Sequence, residues 1–365
     1  MTQRTTLAAL RRSITSLAIA FAIFACSDGN SDNTHEEIKG NSLLLNFTSD
    51  YLTGMLRWMT PDSTSLSPGI IDLGADSRVS AGGGNIFVLS SGPGVLTCIL
   101  PEKINDKSTI KQSSLDAVNP YEAAVVGSKG YIASHDEDYV QVFNTSSCAP
   151  SGKIALPISN ANASSIKASG DTLLVVLQRL EIFSATKPGL LVRINASTEK
   201  LIDTIPLKLY NSHSSILSKG KLYISAQARY NEDFSYDWTE SGVEVVDLAK
   251  GTTEVLATGD QLGGGAYGIA LDEAGQTLYV SVSANFGVAP VKSVNVLSKD
   301  IKTLPNIVAS EGGVIFDNEV KKLFVGDRES GKENLKIYDP ATNSTSAVNE
   351  GTNALPPYSL AIVRW

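Results

Sequence analysis

The chain has 365 residues, of which 42% are hydrophobic and 19% charged, with 30 Lys and Arg against 38 Asp and Glu. This composition can fill a large core, and a net charge of −8 without a basic patch argues against nucleic acid as a partner. The cysteines and histidines show no C-x-x-C, H-x-H or H-E-x-x-H spacing, so the sequence predicts no metal site and no cofactor.

Residues 1–25 have the pattern of a signal peptide. Arg4, Arg11 and Arg12 form a positive region, and the apolar stretch 14–25 that follows is too short for a confident membrane span. The run 23–26 resembles a bacterial lipobox, which implies that Cys26 carries acyl chains such as palmitate and becomes the mature N-terminus. The alternative is an ordinary secretory signal that is cleaved after Ala25.

Residues 26–40 are polar and acidic and contain almost nothing to bury, so we expect a disordered tether. Ser27 resembles the signal that sorts lipoproteins to the outer membrane, and the acidic run after it resembles a surface-export signal. These resemblances imply a lipid-anchored protein of the outer membrane, exposed to the periplasm or at the cell surface, with the membrane as one partner.

A repeat of about 45 residues occupies the rest of the chain, 41–365, and each unit contains several short apolar strands. The starts of successive units align at Ser77, Tyr121, Ser164, His213, Tyr267, Gly312 and Tyr358. The second strand of each unit is predicted at 85–89, 130–133, 173–176, 221–224, 277–280 and 322–325, and the third at 95–99, 140–143, 190–194, 243–247, 294–297 and 335–339. A period of this length with about four strands per unit predicts an all-β, seven-bladed β-propeller.

The seventh unit begins at Tyr358 and is too short for a whole blade. Three strands predicted near the N-terminus, 43–47, 54–58 and 69–73, lack a first strand. We therefore expect the last blade to be closed by strands from both ends, which hides the sheet edges. The repeats, most clearly Leu278–Val282, resemble YVTN-type propellers of the quinoprotein-like superfamily found in bacterial envelopes. That resemblance implies architecture and leaves the chemistry open.

Cys98 and Cys148 fall in neighbouring repeats, and two readings are open: a disulfide, which suits an exported protein, or two separate buried thiols. The turn 135–138 contains three carboxylates. A cation such as Ca²⁺ takes several oxygen ligands, but the D-x-D-x-D-G pattern is absent and a solvated acidic turn is the favoured interpretation.

An insertion at 226–240 contains four aromatic side chains mixed with acids. In a propeller this loop shares a face with the loops that lead into the first strands, so the sequence predicts a binding surface at one mouth of the central channel. The alternative is that these aromatic side chains only pack the loop onto its own blade. The candidate ligand-binding residues are Tyr121, Arg179, Phe183, Tyr230, Phe234, Tyr236, Trp238, Tyr267, Phe286 and Tyr358.

Three functions fit these features. The first is a lipoprotein that binds a small molecule on the loop face and passes it to a transporter, which predicts a concave aromatic pocket. The second is a protein-interaction scaffold in envelope assembly, which predicts a flat or convex patch. The third is an enzyme such as a lactonase or quinoprotein dehydrogenase. No catalytic motif supports it, so the sequence favours a binding protein.

Overall fold

The computed structural model describes residues 42–365 apart from 70, 75, 93, 182–183, 232–234, 286 and 352–354. The predicted signal peptide, Cys26 and the predicted tether lie outside the described residues. Within the described part of the chain, no helix is long and apolar enough to cross a membrane.

The described chain folds into seven antiparallel sheets of four strands, as the repeat predicts. The N-terminal strands are β1 (Ser42–Ser49), β2 (Gly54–Met59) and β3 (Ile71–Leu73). Blade 1 contains β4 (Ser77–Gly82), β5 (Asn85–Ser90), β6 (Val95–Ile99) and β7 (Lys111–Ser114). Blade 2 contains β8 (Pro120–Val126), β9 (Lys129–Ser134), β10 (Tyr139–Asn144) and β11 (Pro150–Ala155).

Blades 3 and 4 each contain an extra two-stranded ribbon between their second and third main strands. The strands of blade 3 are β12 (Ala163–Ser169), β13 (Thr172–Leu177), the ribbon β14 (Leu180–Glu181) and β15 (Ser184–Ala185), β16 (Pro188–Asn195) and β17 (Lys200–Tyr210). Those of blade 4 are β18 (Ser212–Ser218), β19 (Lys221–Ala226), the ribbon β20 (Arg229–Tyr230) and β21 (Tyr236–Asp237), β22 (Gly242–Asp247) and β23 (Thr252–Thr258).

A single helical turn, α1 (Gly259–Leu262), leads into blade 5, which contains β24 (Gly265–Asp272), β25 (Thr277–Ser283), β26 (Val291–Asn295) and β27 (Ile301–Thr303). Blade 6 contains β28 (Val314–Asp317), β29 (Lys322–Asp327), β30 (Asn334–Asp339) and β31 (Ser344–Ala347), and the final strand is β32 (Pro357–Arg364). Short 3-10 turns lie at Pro101–Lys103, Lys107–Thr109 and Ser310–Gly312.

The middle of the second strand of each of blades 1 to 6 is apolar and buried, because the neighbouring blades cover both of its faces. In β5, for example, Ile86, Phe87, Val88 and Leu89 are all fully buried. The outermost strand β7 is mostly exposed and polar. Burial therefore decreases from the middle of each blade to its rim. The innermost strands, β4 among them, line the central channel.

The last blade is closed by both ends of the described chain, in the order β3-β2-β1-β32, which confirms the prediction. β1 and β32 are antiparallel, with Ser42 opposite Arg364 and Asn46 opposite Leu360. Arg328 of blade 6 adds a further tie, since its Nη1 donates to the carbonyl oxygens of Ser49 (3.2 Å) and Pro357 (2.7 Å).

One predicted strand differs from the structure. The third strand of blade 5 runs over Val291–Asn295 rather than 294–297. The reason is a turn that begins inside the predicted run, where the Asn295 side chain accepts hydrogen bonds from the backbone N–H groups of Leu297 and Ser298. Leu297 is consequently 74% exposed.

Cys98 and Cys148 form a disulfide in the structure. Cys98 lies on β6 of blade 1, and Cys148 lies in the turn between β10 and β11 of blade 2. Both pack with Phe87 and Phe143 between the two blades. The bond therefore links neighbouring blades covalently, which is the first of the two readings left open by the sequence.

Candidate ligand-binding site

The starts of the innermost strands form a ring around one end of the central channel. The ring encloses a cavity of about 180 Å³. Its members come from all seven blades and include Arg78, Tyr121, Ser164, His213, Tyr267, Glu311 and Tyr358. The unit starts aligned from the sequence thus meet in space, with a shift of one residue in two blades.

In blade 1 the ring residue is Arg78, which lies one position after the aligned start Ser77. Ser77 is fully buried, and its hydroxyl lies within hydrogen-bonding distance of the Gly74 carbonyl oxygen and the Ser90 hydroxyl, both at 2.8 Å. Successive side chains of a strand point to opposite sides, so Arg78 faces the channel. In blade 6 the residues on either side of Gly312, Glu311 and Gly313, line the cavity.

Arg78 is the distinctive member of the ring. Its guanidinium carbon lies 3.8 Å from the centre of the Tyr121 ring, a cation–π contact. Its Nη1 is enclosed and has no hydrogen-bond partner among the described residues. Burial acts to lower the pKa of Arg78, but interactions with Tyr121, Tyr267, Tyr358 and Asp76 outweigh it and raise the pKa. The guanidinium therefore stays positively charged.

His213 lies beside Arg78 but is neutral. Its ring is 4.7 Å from that of Tyr267 and 5.9 Å from that of Tyr121. Burial and the nearby charge of Arg78 lower the pKa of His213 to about 3. Its Nδ1 is enclosed and has no hydrogen-bond partner among the described residues. At neutral pH the ring thus offers an uncharged imidazole next to a permanent cation.

The layer below the ring is electrically balanced. Glu122 pairs with Lys167, and Glu122 Oε2 also accepts from the Ser165 hydroxyl at 2.6 Å and from the Ile166 backbone N–H at 2.9 Å. Beyond this layer the channel opens into a second cavity of about 340 Å³, whose lining is mainly small and aliphatic, such as Ala81, Val125 and Ile315. Arg78, a cation with no hydrogen-bonded counter-ion among the described residues, therefore lies at one end of the channel.

A side cavity of about 260 Å³ adjoins the ring, since both are lined by Tyr267, Glu311 and Tyr358. The inserted ribbon forms part of its wall through Tyr230 and Tyr236, whose rings lie 5.2 Å apart. Burial, followed by the hydrogen bond with Tyr236, raises the pKa of Tyr230 to about 12. Tyr51 from the loop between β1 and β2 completes the aromatic lining.

The structure brings five of the predicted residues together: Tyr121, Tyr267 and Tyr358 in the ring, and Tyr230 and Tyr236 in the side cavity. Two others lie apart from these linings. Trp238 packs against Gly259 at the start of α1, and Arg179 donates to the Pro188 carbonyl oxygen at 3.1 Å. Phe183, Phe234 and Phe286 lie outside the described residues.

Sequence reasoning missed Arg78, Glu311 and Tyr51 and did not assign His213 to the site. The repeat contained the signal for two of these residues, because outside blade 6 each ring residue named above is the first or second residue of a unit. His213 was itself an aligned start, and Arg78 directly follows one. Tyr51 and Glu311 come from loops for which the repeat has no equivalent position.

The acidic turn 135–138 has a structural role. Asp138 Oδ1 accepts from the backbone N–H of Ala161 at 2.9 Å and so fixes the connection to blade 3. Its neighbour His135 stacks on Tyr121 with the ring centres 5.2 Å apart. Across the described ranges, no group of three or more His, Cys, Asp or Glu side chains is placed to hold a metal ion.

Solved structures similar to this chain share its propeller fold. Kuenenia stuttgartiensis hydrazine synthase is 12% identical, with a TM-score of 0.61 over 89% of this chain and 100% of that one. A putative 6-phosphogluconolactonase from Bacteroides fragilis is 13% identical, with a TM-score of 0.58 over 89% and 98%. Apo AztD from Citrobacter koseri is 12% identical, with a TM-score of 0.55 over 88% and 98%.

At these identities the likeness shows the fold alone, and the chain is a seven-bladed β-propeller. No protein-family model matches the chain, and no curated protein matches its sequence. The resemblance to YVTN-type repeats therefore stays a prediction from the sequence.

Proposed function

We propose that this protein is a lipid-anchored envelope propeller that binds a small organic ligand at the mouth of its central channel. One observation carries the binding role: the ring cavity and the side cavity adjoin and share an aromatic wall. Small-molecule sites are concave, mostly apolar or aromatic, and contain a few fixed polar groups. A docking scaffold instead calls for a flat or convex patch at this place.

The envelope location in this proposal rests on the sequence. The lipobox-like run that ends at Cys26 supports acylation, and a disulfide between Cys98 and Cys148 suits an oxidising compartment outside the cytoplasm. A Cys26→Ala variant should lose its partition into the detergent phase of a Triton X-114 extraction. If the variant and the wild type partition equally, the protein is not a lipoprotein.

A thermal-shift screen of the purified protein tests the binding role. The panel contains cobalamins, siderophores, haem, sugars, aromatic acids and divalent metal ions. A ligand present at about 100 times its Kd should add roughly 2.7 kcal/mol to the free energy of unfolding, which a melting curve resolves. A shift that is lost in Tyr230→Ala with Tyr236→Ala, and kept in Tyr139→Ala, supports the site.

Tyr139 is the matched control because its ring packs on Lys153, at the outer part of blade 2, and does not line either cavity at the channel mouth. If no compound in the panel shifts the melting temperature, the small-molecule role fails. Crosslinking for envelope proteins then tests the scaffold alternative.

A further inference from the structure

Arg78 differs from every other arginine in the described part of the chain. The other six each donate a hydrogen bond to a carboxylate or carbonyl oxygen: Arg57, Arg179, Arg193, Arg229, Arg328 and Arg364. Arg78 donates to no oxygen among the described residues, and its closest described contact is the face of Tyr121. An arginine side chain has five N–H donors, so most of its hydrogen-bonding capacity is unused.

Nη1 of Arg78 is enclosed without an acceptor among the described residues, and burying a polar group without a hydrogen bond costs free energy. Asp76 interacts electrostatically with Arg78, but no hydrogen bond joins the two side chains among the described residues. Asp76 Oδ1 instead accepts from the Tyr358 hydroxyl at 2.7 Å. Glu122, the nearest carboxylate of the layer below, is already paired with Lys167.

The side cavity provides the second half of the recognition. It shares Tyr267 and Tyr358 with the ring. Its other aromatic lining residues are Tyr51, Tyr230 and Tyr236. These phenol rings form flat apolar surfaces on which another ring can stack. The two cavities, about 180 and 260 Å³, suit a small ligand rather than a peptide or a macrocycle.

Glu311 lies at the junction of the two cavities and lines both. Its carboxylate repels a second anionic group on the ligand body, because like charges at close range are unfavourable. A ligand with one anionic end and a neutral or cationic body therefore fits better than a dianion.

We propose that the ligand is a monoanionic aromatic carboxylate, which places its carboxylate on Arg78 and its ring system against Tyr230 and Tyr236. This inference rests on the proposed function, because it names the ligand class of the same site. The planar guanidinium matches a carboxylate with two parallel hydrogen bonds, and the exposed aromatic wall continues from that point.

Isothermal titration with matched pairs tests the ligand class: indole-3-acetate against indole-3-acetamide, and 4-hydroxybenzoate against 4-hydroxybenzamide. The acid of at least one pair should bind about tenfold or more tightly than its amide, because hydrogen bonds to a charged group are the stronger ones. Equal affinity within both pairs, or no binding of either acid at millimolar concentration, overturns the proposal.

Two substitutions assign the effect to Arg78. Arg78→Met should remove the preference for the acid, so that the acid and its amide bind with similar affinity. Arg78→Lys should keep part of the preference, since the charge remains but the planar fork is lost. An unchanged preference in Arg78→Met contradicts the proposal.

A measurement without ligand separates a binding role from a structural one. If Arg78 is kept for a ligand, Arg78→Met should melt at a higher temperature than the wild type, since an unpaired charge is replaced by an apolar side chain of similar length. A lower melting temperature shows that Arg78 holds the ring together, and overturns the proposal. Neutral compounds that still bind, and lose binding in Tyr236→Ala, would keep the proposed function while this inference fails.

Discussion

Two buried carboxylates each join neighbouring blades by accepting backbone hydrogen bonds, but their pKa values are shifted in opposite directions. Glu244 of blade 4 accepts from the backbone N–H groups of Lys208 (2.9 Å) and Leu209 (3.3 Å), on the strand that arrives from blade 3. Asp327 of blade 6 accepts from Val308 (3.0 Å) and Ala309 (2.9 Å), on the connection that arrives from blade 5. Both side chains are fully buried.

Their pKa values move in opposite directions. Burial raises the pKa of Glu244 to about 7, although its two backbone hydrogen bonds act to lower it. Burial also acts to raise the pKa of Asp327, but Lys336, at 2.6 Å, and the backbone donors outweigh it, and the pKa is lowered. Asp327 has two advantages over Glu244: a hydrogen bond from Lys336 and a third backbone donor, the N–H of Glu329 at 3.0 Å.

The largest expected effect comes from breaking the ion pair between Asp327 and Lys336. Asp327→Asn leaves Lys336 without its carboxylate and turns an amide N–H toward a backbone N–H. The free energy of unfolding should fall by about 3–5 kcal/mol, the usual cost of breaking a buried ion pair. Urea unfolding measures it, with the exposed Asp62→Asn as the control that should change little. A loss no greater than that of the control would show that Lys336 contributes nothing to the joint.

The carboxylate of Glu244 should make the free energy of unfolding depend on pH. The pKa of Glu244 in the folded protein, about 7, is above its ordinary value of 4.5. Its contribution is fully present below pH 4.5 and is lost as the pH rises through about 7, a loss of about 3.5 kcal/mol at roughly 1.4 kcal/mol per pKa unit.

Glu244→Gln removes this titration, so the difference in unfolding free energy between wild type and variant should change across that window. Glu102→Gln, at an exposed position, is the matched control. A difference that stays constant from pH 4.5 to 8 would mean that Glu244 does not titrate there.

A smaller effect is expected when Asp327 loses its lysine and keeps only its backbone donors, which makes it resemble Glu244. In Lys336→Met, Asp327 keeps its backbone donors but loses the cation, so its pKa should rise above the ordinary value. We expect a loss of about 2 kcal/mol at pH 7, the usual range for a hydrogen bond to a charged group. The gap between wild type and variant should shrink toward pH 4. Lys332→Met, at an exposed position on the same blade, is the control, and a gap that does not depend on pH would contradict the comparison.

The propeller was predictable because each blade repeats one pattern, and the buried second strands show it as short apolar runs such as 173–176. The closure by β32 also followed from the sequence, since a blade start at Tyr358 had no strands after it. The third strand of blade 5 was misplaced because Val296 and Leu297 are apolar but lie in a turn set by Asn295. Apolar character alone does not distinguish these positions from a strand.

The site was only partly predictable. The aromatic residues of the insertion were predicted to lie at one mouth of the channel, and the ribbon places Tyr230 and Tyr236 in the cavity that adjoins the ring. Arg78 was not identified from the sequence, because it stands out only by having no oxygen that accepts its hydrogen bonds. A sequence does not show which arginines are paired. Trp238 belongs to the same aromatic run but follows the end of β21, in a turn where its carbonyl oxygen accepts from the Ser241 N–H at 3.0 Å, and it lies against Gly259 of α1.

The position of β1 in the closing blade has a mechanical consequence. β1 is an inner strand, hydrogen-bonded to β2 on one side and to β32 on the other. A force applied through the residues before Ser42 acts along this strand and loads both ladders in shear, so many hydrogen bonds must break together before it slides out. If the chain is tethered at Cys26, as we propose, tension from the membrane is resisted first by the strand pairing that closes the ring.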